Sequence, residues 1–163
     1  MSRDLSRTEY TDLFGPTEGD RLRLGDTSLL AEIETDHTTP GDEAVFGGGK
    51  TMRDGMGMQS TTHAEGALDW VYSNVVVIDP VLGVQKGDLG VRNGEIVGLG
   101  KAGNPDTMDG VDDELVIGPS TDAVPADGLI ATPGAFDIHV HFNSPQLFEH
   151  ALASGITTMF GGG

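Results

Sequence analysis

The sequence contains no cysteine. Disulfides and thiolate metal sites are therefore both excluded, and a bound metal must rest on histidine or carboxylate ligands. Bases are scarce as well: 9 Lys and Arg stand against 26 Asp and Glu, a formal net charge of -17, and only Lys50, Lys86 and Lys101 are lysines. A surface this negative repels a phosphate backbone, so nucleic acid is not an expected partner. Long apolar runs are missing too. The longest strongly apolar run is Val75 to Ile78, and the opening residues Met1 to Arg7 lead into polar sequence. With neither a signal peptide nor a membrane-spanning helix in view, no membrane partner is expected and the cytoplasm is the expected compartment.

What remains is enough to fold. Hydrophobic residues make up 37% of the 163, sufficient for strands and a core, so this is not a disordered acidic tail. Aspartate supplies 17 of the 26 acids. Such a lysine-poor, acidic surface resembles proteins that work in molar salt, where the screening length falls to about 3 Å. Ordinary acidity for solubility explains the same numbers.

Along the chain the grammar changes twice. Residues 1–66 are rich in Gly, Thr and Asp, with short strand candidates at Arg21 to Leu24 and Leu29 to Glu34, and read as a loop-rich segment. Residues 67–132 read as a small β domain. Val75 to Ile78 is a buried-strand candidate, and Leu89-Gly90-Val91 and Ile96-Val97 flank Asn93-Gly94, the strongest short-range hairpin signal. Further strands are expected at Leu115 to Ile117 and Leu129 to Ala131, joined by a polar stretch containing Pro119 and Pro125. The acidic run Asp109, Asp112, Asp113 and Glu114 reads as a solvated loop, since nothing around it matches a calcium loop. Residues 133–163 change period again. Phe136 to Phe142 is strand-like, Ser144-Pro145 predicts a helix start, Gly155 a helix end, and Ile156 to Phe160 a second strand: a β-α-β unit of a parallel fold. A complete (β/α)8 barrel needs roughly 250 residues, so residues 133–163 are expected to be a fragment of one, or to rely on a partner to finish the sheet.

One motif carries chemistry. In Asp137-Ile138-His139-Val140-His141-Phe142 the two-residue period of a strand puts His139 and His141 on one face, about 7 Å apart along the backbone. Two imidazoles so placed can converge on one ion. Imidazole suits zinc, nickel, copper and iron, so the pair does not name its metal. The remaining histidines, His37, His63 and His150, read as solvated or hydrogen-bonded side chains. The stretch Phe46-Gly47-Gly48-Gly49-Lys50-Thr51 ends like a phosphate-binding loop, but Ala44 occupies the place of its first glycine and no helix follows easily.

Pro133-Gly134, Asp137, His139 and His141 resemble the first barrel strand of the amidohydrolase superfamily. Other blocks narrow the likeness: Phe14-Gly15-Pro16-Thr17 with Gly19-Asp20, Phe46 to Lys50 with Arg53-Asp54-Gly55-Met56-Gly57, Gly100 to Asp106, and Ser154 to Met159. In this order and spacing they resemble the N-terminal part of urease alpha subunits, over essentially the whole chain. Phe142 and Ser144 depart from the family's usual Trp and Cys, at positions that are not ligands. The acidic run from Asp109 is denser than usual there, which favours the high-salt reading.

The resemblance implies an α/β fold with an all-β part: an N-terminal, β-sandwich-like domain completed by later strands, then the first β-α-β unit of a truncated (β/α)8 barrel. It implies nickel-dependent hydrolysis of urea to ammonia and carbamate. Two nickel ions per complete site are bridged by a carbamylated lysine, and His139 and His141 inherit the place of ligands to one of them. No catalytic residue and no residue binding a further cofactor is expected within these 163. Expected partners are urea, urease beta and gamma subunits, other alpha subunits, and accessory proteins that insert nickel. Two other readings accompany this one: a non-catalytic truncated chain that only associates with urease subunits, and a different metal-dependent amidohydrolase.

Overall fold

The computed structural model describes residues 4–43 and 53–162, so the glycine stretch from Phe46 to Thr51 lies outside the described residues. The chain divides into two compact units, Met1–Ala131 and Thr132–Gly163.

The first unit opens with a helix, α1 (Arg7–Phe14), where loops and short strands were expected. Its cause is local. Ser6 accepts from the Glu9 N–H while the Glu9 carboxylate accepts from the Ser6 N–H at 2.9 Å, a reciprocal cap. The Ser-x-x-Glu spacing announced it, but no apolar stripe follows, so composition pointed to a loop. Gly15, at φ +80°, ends the helix. Strands β1 (Arg21–Arg23) and β2 (Leu30–Glu32) then pair antiparallel where the sequence placed strand candidates.

Six strands make the main sheet. Its centre is the antiparallel pair β4 (Trp70–Asp79) and β5 (Gly83–Arg92), each ten residues long. Short strands edge both sides. β3 (Thr35–Asp36) and β6 (Glu95–Gly100) pair with β5, while β7 (Asp122–Pro125) and β8 (Ile130–Ala131) run parallel to β4. Asn93 and Gly94 turn β5 into β6 with φ of 56° and 78°, the two positive values that a type I′ turn requires.

Leu68, Val71, Ala102, Leu115 and Ile117 form the buried core cluster. The run Leu115 to Ile117, expected to be a strand, is only a single bridge from Val116 to Gly103. Its main-chain groups are nonetheless paired: Gly103 N–H donates to the Leu115 carbonyl at 3.1 Å and Leu68 N–H to the Val116 carbonyl at 3.0 Å. Apolar character predicted burial correctly and pairing incorrectly. The reverse holds at β7, where a stretch expected as a connection forms a strand; Pro125, lacking an N–H, sits at its end. The acidic run is a loop. Lys101, 5% exposed, reaches into it, with Nζ donating to the Asp109 carbonyl at 2.6 Å and to Asp42 at 2.5 Å.

The long pair is bent at one place. Tyr72 faces Leu89 and Val75 faces Gly87, so Ser73 and Asn74 together oppose Asp88 in a bulge. Asn74 takes φ 57°, and its N–H donates to Asp88 Oδ1 at 3.0 Å; Oδ2 of the same carboxylate accepts from Ala102 N–H at 2.9 Å. Asp88 is 3% exposed. Burial pushes its carboxyl up to about 6, against the two N–H bonds and nearby Lys86, which pull it down.

In the second unit, β9 (Ala135–Val140), α2 (Gln146–Ala153) and β10 (Ile156–Gly161) form a parallel β-α-β. Ser144 does not cap the helix as expected: its hydroxyl bonds to the Gln146 side chain, while its carbonyl accepts from Leu147 N–H at 3.2 Å. Gly155 closes α2 at φ +77°. Val140 and Ala151 are buried between the elements, while Phe136, Ile138, Phe142, Phe148 and Phe160 stay exposed. Taken with the first unit, the described chain is mostly β with few helices.

Two expected outcomes follow from this architecture. Because the Asp88 carboxyl titrates higher folded than unfolded, the native state holds its proton more readily, and the stability this brings is fully present well below pH ~4 and is lost as pH rises through and past about 6. The loss is on the order of 3 kcal/mol. Guanidinium unfolding across that range is expected to show this slope in the wild type, and a slope smaller by that amount in Asp88→Asn; equal slopes would contradict it. At Gly161 a Cβ would stand 1.8 Å from the Val140 carbonyl oxygen. Gly161→Ala is therefore expected to part β10 from β9, read as faster amide exchange along β9 with the first unit unchanged.

Candidate metal centre

The two histidines do stand together in the structure. His139, in β9, and His141, just beyond it, have Nε2 atoms 3.3 Å apart and ring centroids 5.3 Å apart, with both side chains exposed. At that distance one ring donates to the other, the direction set by tautomer. After His141 the chain turns away at once, Asn143 N–H donating to the His141 carbonyl at 2.8 Å.

The register of β9 against β10 is uneven here. Asp137 faces Met159 and Val140 faces Gly161, so Ile138 and His139 together oppose Phe160. His139 thus lies at a bulge, sharing Phe160 with Ile138. Its N–H donates to Asp137 Oδ1 at 3.0 Å. Sequence reasoning named Asp137 only as part of the family pattern and gave it no role, although a carboxylate two residues before a main-chain N–H is a known local partner for it.

The other histidines have surroundings of their own. His37 Nε2 lies 2.9 Å from Gln85 Oε1, His63 Nε2 lies 3.1 Å from Asp69 Oδ1, and His150 is on the exposed side of α2. Among the described residues no group of three or more His, Cys, Asp or Glu side chains converges. A concavity of the first unit, beside α1, holds different chemistry. The Tyr10 hydroxyl donates to Glu43 at 2.6 Å there, and burial together with Glu43 keeps the phenol above its ordinary range. Beside it the Lys86 ammonium is fully buried, 3.8 Å from Asp36 and 5.7 Å from the Tyr10 ring centre.

Two nitrogens on one tetrahedral ion, with metal–nitrogen bonds of about 2.0–2.1 Å, stand roughly 3.3–3.4 Å apart. The His139–His141 separation meets that spacing, so the pair fits as part of a ligand set. It is not a whole one, because structural and catalytic sites alike draw at least three protein ligands in their common forms. Among the described residues no helix is long and apolar enough to cross a membrane.

Comparison with known proteins bears on the whole length. Residues 3–124 match the family described as the urease alpha-subunit, N-terminal domain. The chain is 84% identical to the urease subunit alpha of Natronomonas pharaonis, 82% to that of Haloquadratum walsbyi and 65% to that of Haloarcula marismortui. Each match covers 100% of this chain and 28–29% of the relative, so the chain spans less than a third of the length of these curated relatives. An N-terminal-domain match over most of the chain, and identities this high throughout it, make the chain a member of the urease alpha-subunit family.

Proposed function

We propose that this chain is the N-terminal part of the catalytic subunit of a nickel urease, with His139 and His141 as ligands to one of its two nickel ions. The observation that carries the reading is the approach of the two Nε2 atoms to 3.3 Å at the end of a strand in a parallel β-α-β unit. Barrel enzymes build their sites at that end. On this reading β9, α2 and β10 begin the (β/α)8 barrel, and its later strands cover the aromatic face that stands open here. The first unit supplies part of the accompanying β domain.

When bound, nickel supplies Lewis acidity towards the urea carbonyl and makes hydroxide available near neutral pH. The chain's own contribution is to offer two imidazole nitrogens free of thiolate competition and to hold them at a fixed separation. Urea is then hydrolysed to ammonia and carbamate, in an assembly with beta and gamma subunits and further alpha subunits, loaded by accessory proteins. The family match through residues 3–124 weighs against a different amidohydrolase. A non-catalytic role would suit this chain taken alone, since among the described residues two ligands come together where a working site needs more. The charge of -17 supports a cytoplasm rich in salt.

In the assembled enzyme containing this sequence, His139→Ala and His141→Ala are each expected to weaken nickel binding by more than the ~10–100-fold that changes outside the ligand shell cause. Hydrolysis should fall with it. Full nickel content in the double variant would overturn the reading, as would urea turnover by the purified 163-residue chain. Stability is expected to rise between 0.1 and 1 M KCl, as the screening length shrinks from about 10 Å to about 3 Å. A melting temperature indifferent to salt would count against the high-salt assignment.

A further inference from the structure

The geometry points to Asp137 as a positioning residue for the histidine pair: its carboxylate, acting through the main-chain N–H of His139, sets the bulge that turns the two imidazoles towards each other. This rests on the reading of His139 and His141 as nickel ligands. In an unbroken strand, residues two apart stand about 7 Å from each other with their side chains side by side, so that convergence would rest on side-chain rotamers alone. Here the rings are tilted by 56° and their Nε2 atoms close to 3.3 Å. The difference between those two arrangements lies at Ile138 and His139, which share one partner residue on β10.

A bulge in a strand frees a main-chain group from the ladder and re-aims the side chain beside it. The freed group is satisfied within the same turn of chain, by Asp137 Oδ1 at 3.0 Å. Asp137 does not gather with the histidines as a third ligand, since no such group of three is present among the described residues. Its carboxylate therefore acts one bond removed, on the backbone that carries the ligand. Without an acceptor at this position the His139 N–H must find another partner. The simplest is β10 in regular register, which would straighten the strand and part the rings.

The test uses the assembled enzyme. Asp137→Asn keeps a carbonyl oxygen where Oδ1 stands and is expected to bind nickel within about threefold of the wild type. Asp137→Ala removes the acceptor and is expected to bind nickel ~10–100-fold more weakly, the range for residues that orient metal ligands from outside the shell. Assembly and the melting temperature of the nickel-free protein should stay unchanged in both, which separates positioning from general support of the fold. Should the alanine variant fail to assemble, Asp137→Leu fills the same space without an acceptor and makes the same demand. Wild-type affinity in the acceptor-free variant, or a loss in Asp137→Asn as large as in Asp137→Ala, overturns the inference. If nickel binding also survives the loss of both histidines, the assignment of the ligands has failed instead; if only the Asp137 variants are silent, the ligands stand and the positioning role falls.

Discussion

The first unit depends on a long antiparallel pair that is made to bend. β4 and β5 carry every other strand of the main sheet at their edges, and the bend between them is held by one carboxylate, Asp88, accepting two main-chain N–H groups inside the core. Asn74 and Ala102 come from opposite sides of this group, one from the bulge in β4 and the other from the chain leaving β6. A buried ion with both oxygens occupied is costly to desolvate, yet removing it would strand two N–H donors in the same place. The bulge, the exit of β6 and the seating of Ala102 in the core cluster are consequently one structural fact.

A comparable device recurs in the second unit on a smaller scale. At Asp137 a carboxylate again takes a main-chain N–H that a bulge has released, this time on the strand bearing the histidines. Bulges supply local curvature at the expense of ladder bonds, and an aspartate nearby restores the lost bond without straightening the strand. In one unit this shapes a core, and in the other it shapes the separation of two imidazoles. Shared chemistry does not make the two positions equivalent, since Asp88 is buried and Asp137 is only partly so.

The sequence was legible wherever a local rule coincided with the tertiary answer. Asn93-Gly94 needs two positive φ angles and has the residues for them, so the β5–β6 hairpin could be read directly. Val75 to Ile78 and Ile156 to Phe160 were readable because β-branched runs have few other uses. Leu115 to Ile117 misled because burial and strand pairing use the same side chains, and only one bridge formed there. β7 was hidden because its pairing with β4 depends on main-chain groups more than on side-chain pattern. At the candidate site, the shared face of His139 and His141 followed from a period of two. Their closure to 3.3 Å did not, because it comes from a register shift against a strand that lies beyond a helix.

The open face of the second unit bears on how such a protein is made. Phe136 stacks with Phe160 at 6.3 Å and Phe142 with Phe148 at 6.1 Å, and all four rings remain more than 45% exposed. During synthesis this aromatic surface would emerge before anything later in the chain could cover it. For that interval the nascent polypeptide is adhesive, both through its rings and through the unpaired edges of a two-stranded parallel sheet. Strong negative charge along the same chain then keeps neighbouring copies apart at low salt, while high salt would weaken that protection. Successful production is therefore a contest between the rate at which the face is covered and the rate at which two such faces meet.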